Sequence, residues 1–156
     1  MKILGIIGGM SPESTATYYT EINRLVNQKK GGNISAPIVM VSVEFEEIVQ
    51  CQKQSEWQRA GEILAEAGKK LEMIGAEGIV LATNTMHKVA PQIERALSIP
   101  FLHILDATAD AIKSRGLNKV ALLGTKFTMS DNFYRDGLIV RGITPIVPNE
   151  SAQNEI

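Results

Sequence analysis

A chain of 156 residues, of which 44% are apolar and 21% charged, has the length of one globular domain or slightly more and enough apolar side chains for a core. The net charge is −1 and there is no basic stripe, which argues against nucleic acid as the main partner, because phosphate binding requires clustered lysines and arginines. No apolar run is as long as a membrane span, and the first residues lack the features of a signal peptide, so we expect no membrane partner.

Cysteine and histidine usage narrows the chemistry further. Cys51 is the only cysteine, so this chain forms no internal disulfide, and we expect a reducing, cytoplasmic location. Two histidines without a CxxC or HExxH motif are weak grounds for a metal site, and we predict none. Cys51 falls in a helical stretch away from the strand ends, which favours a half-buried structural residue over a nucleophile.

The first predicted elements are a buried strand at residues 2–7 and an amphipathic helix that ends near Gln28. Ser11 followed by Pro12 is typical of a helix start, because the hydroxyl caps the helix and proline suits its first position. Gly8 and Gly9 let the backbone approach a ligand closely, and a helix N-terminus offers N–H groups to an anion. We predict that a small carboxylate binds here; the alternative for Ser11 is a plain helix cap.

A dinucleotide site is the competing interpretation of this turn. The pattern Gly5-x-x-Gly8-Gly9 differs from G-x-G-x-x-G, and no acidic residue ends the second strand in the expected context, although Glu44 is near. The glycine spacing therefore disfavours a dinucleotide.

The next elements are a strand at residues 36–45 and a helical pattern at residues 46–54. Ser55 is predicted to cap a longer helix that ends near Ile74. The buried stripe predicted for that helix contains Trp57, Ile63, Leu64, Ala67, Leu71 and Met73.

The most informative stretch is an apolar run at residues 79–82 that turns abruptly polar at Thr83, Asn84 and Thr85, followed by His87. The run is short and apolar enough for a strand buried on both faces. Ligands of open parallel sheets bind where such a strand ends and a helix begins, so these side chains are predicted to hold something small. The alternative is a helix cap, which asparagine and threonine also favour.

A helix at residues 88–97 follows, and the order then repeats. The further predicted elements are a strand at 101–105, a helix at 106–115, a strand at 119–123, a helix towards Val140 capped by Thr128 or Ser130, and a strand at 144–147. His103, inside the first of these strands, is predicted to be a satisfied core residue. The alternation predicts an α/β fold, with a parallel-sheet, three-layer, Rossmann-like domain at 1–100 and the start of a second similar unit at 101–156.

Three segments together resemble the aspartate/glutamate racemases, the PLP-independent amino acid racemases: Gly8-Gly9-Met10-Ser11-Pro12-Glu13-Ser14-Thr15, Thr83-Asn84-Thr85-Met86-His87 and Leu122-Leu123-Gly124-Thr125. The resemblance extends from residue 1 to about 150. It implies two similar α/β domains with the active site in the cleft between them, no cofactor, and commonly a homodimer.

The resemblance also implies two catalytic cysteines, one from each domain, that exchange the proton at the substrate Cα. Thr83 stands where the family has its first cysteine, and the second cysteine's Gly-Cys-Thr-Glu motif is not found. The sequence thus resembles the first domain and the opening half of the second. Such a half unit would expose a sheet edge and apolar helix faces, so we expect the molecule as made to be longer, or these residues not to fold as an active monomer.

Thr83 is therefore the predicted catalytic residue. A thiol ionises readily, whereas a threonine hydroxyl is a far weaker acid and needs a neighbouring base, for which His87 is the nearby candidate. We expect a relative with Thr83 and one remaining cysteine to process one enantiomer well and the other poorly.

The resemblance implies five substrate-binding residues, Met10, Ser11, Asn84, Thr85 and Thr125, and Gln52 is a sixth candidate. The residues after the first strand would offer backbone or hydroxyl donors to a carboxylate. Those after the third would bind the α-carboxylate or stabilise enolate-like charge. Gln52 would recognise the side-chain carboxylate, although an exposed helix glutamine is the more common finding. Lys126 and Arg135 could add positive potential, or form a solvated helix face.

Two functions lead. The first is an amino acid racemase that acts on aspartate or glutamate by proton abstraction and return. The alternative is a catalytically impaired amino-acid-binding protein of the same fold, suggested by Thr83 and the missing cysteine. A nucleotide-binding domain is disfavoured by the glycine spacing.

Overall fold

A computed structural model describes residues 1–124 and 126–153, which form two compact units, Met1–Leu102 and the chain from His103 onwards. Each unit contains parallel strands, and the predicted α/β class is confirmed, with helices flanking the sheet. Among the described helices, none combines the length and the apolar character that crossing a membrane requires.

The first unit contains four strands and four α-helices in alternation. They are β1 (Leu4–Gly8), α1 (Pro12–Lys30), β2 (Ile38–Ser42), α2 (Phe45–Lys53), α3 (Trp57–Met73), β3 (Gly78–Leu81), a 3-10 helix (Thr85–Val89), α4 (Ala90–Ala96) and β4 (Phe101–Leu102). All neighbouring strands are parallel, in the order β2-β1-β3-β4. Ile7 pairs with Val41 on one side and Leu81 on the other, so the segments that follow β1 and β3 leave the sheet side by side.

The core of this unit lies between the sheet and α3. Ile7, Ile79 and Leu81 of the strands pack with Leu64 and Leu71 of α3, and all five are buried. Alternating strand residues and a helix stripe with a spacing of three to four residues meet here, which is how an α/β layer buries its apolar surface.

Two predictions about α3 were wrong. Ser55 does not cap it: its backbone is left-handed (φ 57°), its N–H donates to the Gln52 carbonyl at 3.2 Å, and Glu56 occupies the N-cap position. Ser55 therefore makes the turn between α2 and α3. Met73, the last residue of α3, is 85% exposed, whereas Leu71 is fully buried.

Within its described residues, the second unit contains a two-stranded parallel sheet and four short helices. They are α5 (Ile104–Lys113), β5 (Lys119–Ala121), α6 (Lys126–Ser130), α7 (Asn132–Val140), β6 (Thr144–Ile146) and α8 (Glu150–Gln153). Its buried core contains Leu105, Ala109, Leu138 and Ile143.

Four predictions in this part of the chain were wrong. The strand predicted at 101–105 ends at Leu102 and belongs to the first sheet, and His103 is the N-cap of α5, where its Nδ1 accepts the Leu105 N–H at 3.1 Å. The helix predicted towards Val140 is two helices. Asp131 caps the second of them by accepting the Phe133 N–H at 2.8 Å, in place of Thr128 or Ser130.

Candidate functional site

The candidate site is the carboxyl edge of the first sheet, where the segments after β1 and β3 emerge together. Because Ile7 and Leu81 are paired, the segments that start at Gly8 and Ala82 leave the sheet side by side at this edge. The Ala82 N–H donates to the Ile7 carbonyl at 2.9 Å and extends the pairing by one residue. The edge is where an open parallel sheet binds its ligands.

The turn after β1 is tightly packed within the protein. A Cβ on Gly9, whose φ is +97°, would lie 2.3 Å from the Val43 carbonyl oxygen, and a Cβ on Gly8 would lie 2.4 Å from Cγ2 of Thr15. The Gly9 N–H donates to the Thr15 hydroxyl at 2.9 Å, and that hydroxyl donates to the Ser11 carbonyl at 2.9 Å. Close approach to Val43 and Thr15, rather than to a ligand, explains why glycine is needed here.

Ser11 caps α1, as its sequence position predicted. Its hydroxyl oxygen accepts the Ser14 N–H at 3.3 Å. Hydrogen bonds from the Glu13 backbone N–H and from the Ser11 hydroxyl lower the pKa of the exposed Glu13 carboxyl. The Glu13 carboxylate therefore satisfies some of the hydrogen-bond donors at the start of α1.

Met10 is available to a ligand through its backbone only. Its side chain is 7% exposed and packs into the core. Within residues 1–124 and 126–153, the N–H groups of Met10 and Ser11 have no acceptor. Two adjacent N–H groups at a helix start can receive a carboxylate.

The segment after β3 presents three polar side chains. Asn84 is exposed, and Thr83 and Thr85 are partly exposed. None of the three side chains forms a hydrogen bond with another described residue, and Asn84, at the N-cap position of the 3-10 helix, does not cap it with its side chain. The helix-cap alternative thus fails for Asn84, and the three groups can bind a ligand.

The backbone of the same segment is held firmly. The Ser14 hydroxyl donates to the Ala82 carbonyl at 2.7 Å, and the Thr83 N–H donates to the Leu81 carbonyl at 2.9 Å. Nδ1 of His87, a side chain with only 1% exposure, lies 2.8 Å from the Thr83 carbonyl oxygen. Fixed backbone with unbonded polar side chains is the arrangement that preorganised binding sites require.

The side chain of Gln52, on α2, contacts the segment that follows β3. Its Nε2 donates to the sulfur of Met86, a fully buried residue, at 3.0 Å, and its side chain is partly buried. The interpretation of Gln52 as an ordinary exposed helix residue therefore fails. Its neighbour Cys51 is 1% exposed and belongs to the core, in agreement with a structural role.

Sequence analysis missed one neighbour of the segment. The ammonium group of Lys88 lies 4.3 Å from the centre of the Trp57 ring, a cation–π distance. The only signal was the presence of a lysine and the single tryptophan in separate predicted helices, which says nothing about their distance.

The remaining predicted residues add little to the site. Thr125 lies outside the described residues, as does the side chain of Lys126. Arg135 is exposed and pairs with Asp136 at 3.3 Å, as expected of a solvated helix face. Among the residues that the structure describes, no group of three or more His, Cys, Asp or Glu side chains could hold a metal.

Of two cavities in the described chain, one borders this edge. The cavity of about 570 Å³ is lined by the second half of α1 and residues 32–35, away from the edge. The cavity of about 320 Å³ lies between α1 and β2, beside the turn after β1, and Pro12, Thr15 and Ser42 line it. Neither includes residues 82–85. We assign the site from the sheet topology and from the polar side chains that have no hydrogen bond within the described residues. The volume of a cavity does not by itself provide the polar groups that bind a ligand.

Comparisons with known proteins agree with the parallel-sheet α/β fold. A family model described as Asp/Glu/Hydantoin racemase matches residues 7–156. The chain is 27% identical over 135 residues to the broad specificity amino-acid racemase RacX of Bacillus subtilis (strain 168), covering 85% of this chain but only 59% of that relative's length.

Two crystal structures are similar over 99% of this chain. One is of a Yersinia pestis protein described as a candidate Asp/Glu racemase (TM-score 0.96, 50% identity, 67% of that chain covered). The other is of an aspartate racemase homologue from Pyrococcus horikoshii OT3 (TM-score 0.89, 38% identity, 68% of that chain covered).

Proposed function

We propose that the protein, which belongs to the Asp/Glu/Hydantoin racemase family, is an amino acid racemase. In this proposal it acts on aspartate or glutamate without a cofactor. The observation that carries this proposal is the polar segment after β3: Thr83, Asn84 and Thr85 sit on a fixed backbone and bond to no other described side chain. The chain spans 59% of the length of the Bacillus subtilis relative. The activity of the whole protein is therefore also part of this proposal.

Substrate recognition is assigned to both segments of the edge. The α-carboxylate accepts hydrogen bonds from the Met10 and Ser11 N–H groups and from the side chains of Asn84 and Thr85, and these donors also stabilise the enolate-like charge that forms when the α-proton leaves. The Gln52 amide, held beside Met86, recognises the side-chain carboxylate. Thr125, outside the described residues, keeps its proposed role as a further substrate donor.

Thr83 is proposed to contact the substrate Cα. In the reaction a base outside this chain, which by the family resemblance is the cysteine thiolate of the second domain, takes the Cα proton, the electron pair of the C–H bond delocalises into the carboxylate, and the Thr83 hydroxyl donates a proton to the opposite face. The Thr83 hydroxyl stays protonated at neutral pH and has no base bonded to it among the described residues, so we assign it the role of proton donor and not that of base. The protein therefore favours one enantiomer.

A specific observation favours a second candidate, an amino-acid-binding protein that has lost the chemistry. The Thr83 hydroxyl forms no hydrogen bond with a base among the described residues. Such a protein would bind the same amino acids through the same donors, with no exchange of the α-proton.

The deciding experiment is α-hydrogen exchange in D2O, followed by proton NMR, on the L and D forms of aspartate and glutamate separately. The racemase proposal expects exchange with a preference for one enantiomer, and loss of that exchange in Thr83→Val, which keeps the side chain's shape and removes its hydroxyl. Equal exchange of both enantiomers would contradict the assigned role of Thr83. Saturable binding with no exchange would favour the binding protein.

We further propose a homodimer, as the sequence resemblance implies, and a cytoplasmic location, as the single cysteine suggests. Light scattering of the purified chain tests the oligomeric state, and a mass of one protomer at all concentrations would refute it.

A further inference from the structure

Ser14 connects the two halves of the candidate site through one side chain. It is the third residue of α1, where its N–H donates to the Ser11 hydroxyl at 3.3 Å. Its own hydroxyl donates to the carbonyl of Ala82 at 2.7 Å, across 68 residues of sequence. One serine therefore touches the cap of α1 and the residue that directly precedes Thr83.

The position of this hydrogen bond follows from the sheet. β1 and β3 run in register up to Ile7 and Leu81, and the Ala82 N–H adds one more bond to the Ile7 carbonyl. Beyond that point β1 turns away, because the Gly8 carbonyl accepts the Val43 N–H at 2.9 Å and Gly9 adopts φ +97°. The Ser14 hydroxyl meets the Ala82 carbonyl where the strand pairing has ended. Ala82 is fully buried, so its carbonyl needs such a donor.

The peptide group between Ala82 and Thr83 is held at both ends. Its carbonyl accepts the Ser14 hydroxyl, and its N–H donates to the Leu81 carbonyl at 2.9 Å. The orientation of this peptide sets the direction in which the Thr83 side chain leaves the backbone. A change at Ser14 therefore changes the placement of Thr83 without any contact between the two side chains.

We propose that Ser14 is a positioning residue of this site: its hydroxyl fixes the Ala82–Thr83 peptide relative to the Met10 and Ser11 N–H groups, so that both segments meet one substrate. This inference rests on the proposed function for its substrate. Ser14 itself does not touch the amino acid. Misplacement of about 1 Å at a reacting group lowers activity by on the order of a hundredfold, which is why a single hydrogen bond at this position matters.

The test compares four variants of the full chain. Ser14→Ala removes the hydroxyl, Ser14→Thr keeps it, and Ser14→Cys keeps the size with a poor donor. Thr17→Ala is the matched control, because among the described residues the Thr17 hydroxyl bonds only to the Glu13 carbonyl within α1. Each variant is titrated with L-aspartate by calorimetry, and its ligand-free 1H–15N spectrum is recorded for the amides of Thr83, Asn84 and Thr85.

The expected result is that Ser14→Ala and Ser14→Cys bind L-aspartate on the order of tenfold more weakly and shift the three amides. Ser14→Thr should restore both properties, and Thr17→Ala should change neither. If Ser14→Ala does not fold, the Ser14→Cys and Ser14→Thr pair carries the comparison. Loss of stability with unchanged affinity and unchanged Thr83–Thr85 amides in the folded variants would overturn the inference, because a purely structural serine gives that pattern.

The two proposals fail in different ways. If the unsubstituted chain does not bind L-aspartate, the proposed substrate is wrong, while the ligand-free spectra still report whether Ser14 orients Thr83. If it binds normally and Ser14→Ala leaves the spectra unchanged, only the positioning role is wrong.

Discussion

The Nδ1 atom of His87 lies 2.8 Å from the carbonyl oxygen of Thr83. Because a carbonyl oxygen only accepts, Nδ1 must carry the proton in both the neutral and the charged imidazole. Nδ1 therefore cannot take a proton from the Thr83 hydroxyl. From the sequence, His87 was the nearby candidate base for Thr83. In the structure its Nδ1 instead forms a hydrogen bond with the backbone of Thr83.

Substitution of His87 tests that assignment. His87→Asn keeps an N–H donor at the same distance from the backbone, whereas His87→Leu removes it. We expect His87→Leu to lower the free energy of unfolding by about 1 kcal/mol more than His87→Asn, since the Thr83 carbonyl loses its donor. Urea denaturation followed by the fluorescence of the single tryptophan, Trp57, measures this. Equal losses in the two variants would count against the hydrogen bond.

Thr83→Cys should increase the exchange of the α-proton. A thiol ionises near pH 8.5, so a cysteine at this position supplies a base that threonine lacks, worth on the order of a hundredfold in rate. Thr83→Ser is the control and should keep the original rate. The measurement is deuterium incorporation at pH 8.5, and a Thr83→Cys rate no higher than that of Thr83→Ser would remove Thr83 from the reaction.

Gln52→Leu should lower the preference for aspartate over alanine. The change removes the amide proposed to recognise the side-chain carboxylate, while the groups proposed for the α-carboxylate remain. Gln50→Leu is the matched control, because Gln50 lies two residues earlier on α2, is exposed and bonds to Glu46. Competition titrations with both amino acids give the ratio of affinities. An unchanged ratio in Gln52→Leu would exclude Gln52 from specificity.

Gly9→Ala should destabilise the protein more than Gly32→Ala. Both glycines have positive φ, +97° and +60°, but a Cβ on Gly9 would lie 2.3 Å from the Val43 carbonyl oxygen, and a Cβ on Gly32 meets open space. We expect about 1 kcal/mol for Gly32→Ala from backbone strain alone and at least about 2 kcal/mol more for Gly9→Ala. Thermal and urea unfolding compare them, and similar losses would mean that the turn adjusts to a side chain.

The cap of α5 should weaken in mild acid. Burial, and then the positive charge of Arg141, lower the pKa of His103 from 6.5, while Asp106 opposes them. The unfolded chain therefore binds the proton more readily, so this contribution to stability is complete above pH 6.5 and is lost as the pH falls through the lowered pKa. Protonated Nδ1 can no longer accept the Leu105 N–H.

The measurement for this prediction is hydrogen exchange of the Leu105 amide between pH 5 and 8, corrected for the intrinsic rate. His103→Asn, which caps without titrating, should remove the acid-dependent loss of protection. The same pH profile in both proteins would contradict the prediction.

Much of the fold could be predicted because its signals are local. The start of α1 at Ser11 and Pro12 and the end of the central strand before Thr83 depend on residues adjacent in sequence. The predictions failed where two local signals compete. Serine is a residue type that often caps helices, but Ser55 adopts a left-handed conformation in the turn before α3. His103 follows an apolar run that is typical of a strand, but its imidazole caps α5.

The sequence by itself determined the alternation of strands and helices, the family and the polar segment at Thr83–Thr85, because periodicity, capping and motif are properties of contiguous residues. Only the tertiary structure decided what surrounds that segment. The pairing of β1 with β3, the Ser14 bond to Ala82 and the Gln52 contact with Met86 join residues 34 to 74 positions apart. Such contacts depend on the order of strands in the sheet and on how the helices pack against it, and no local pattern encodes either.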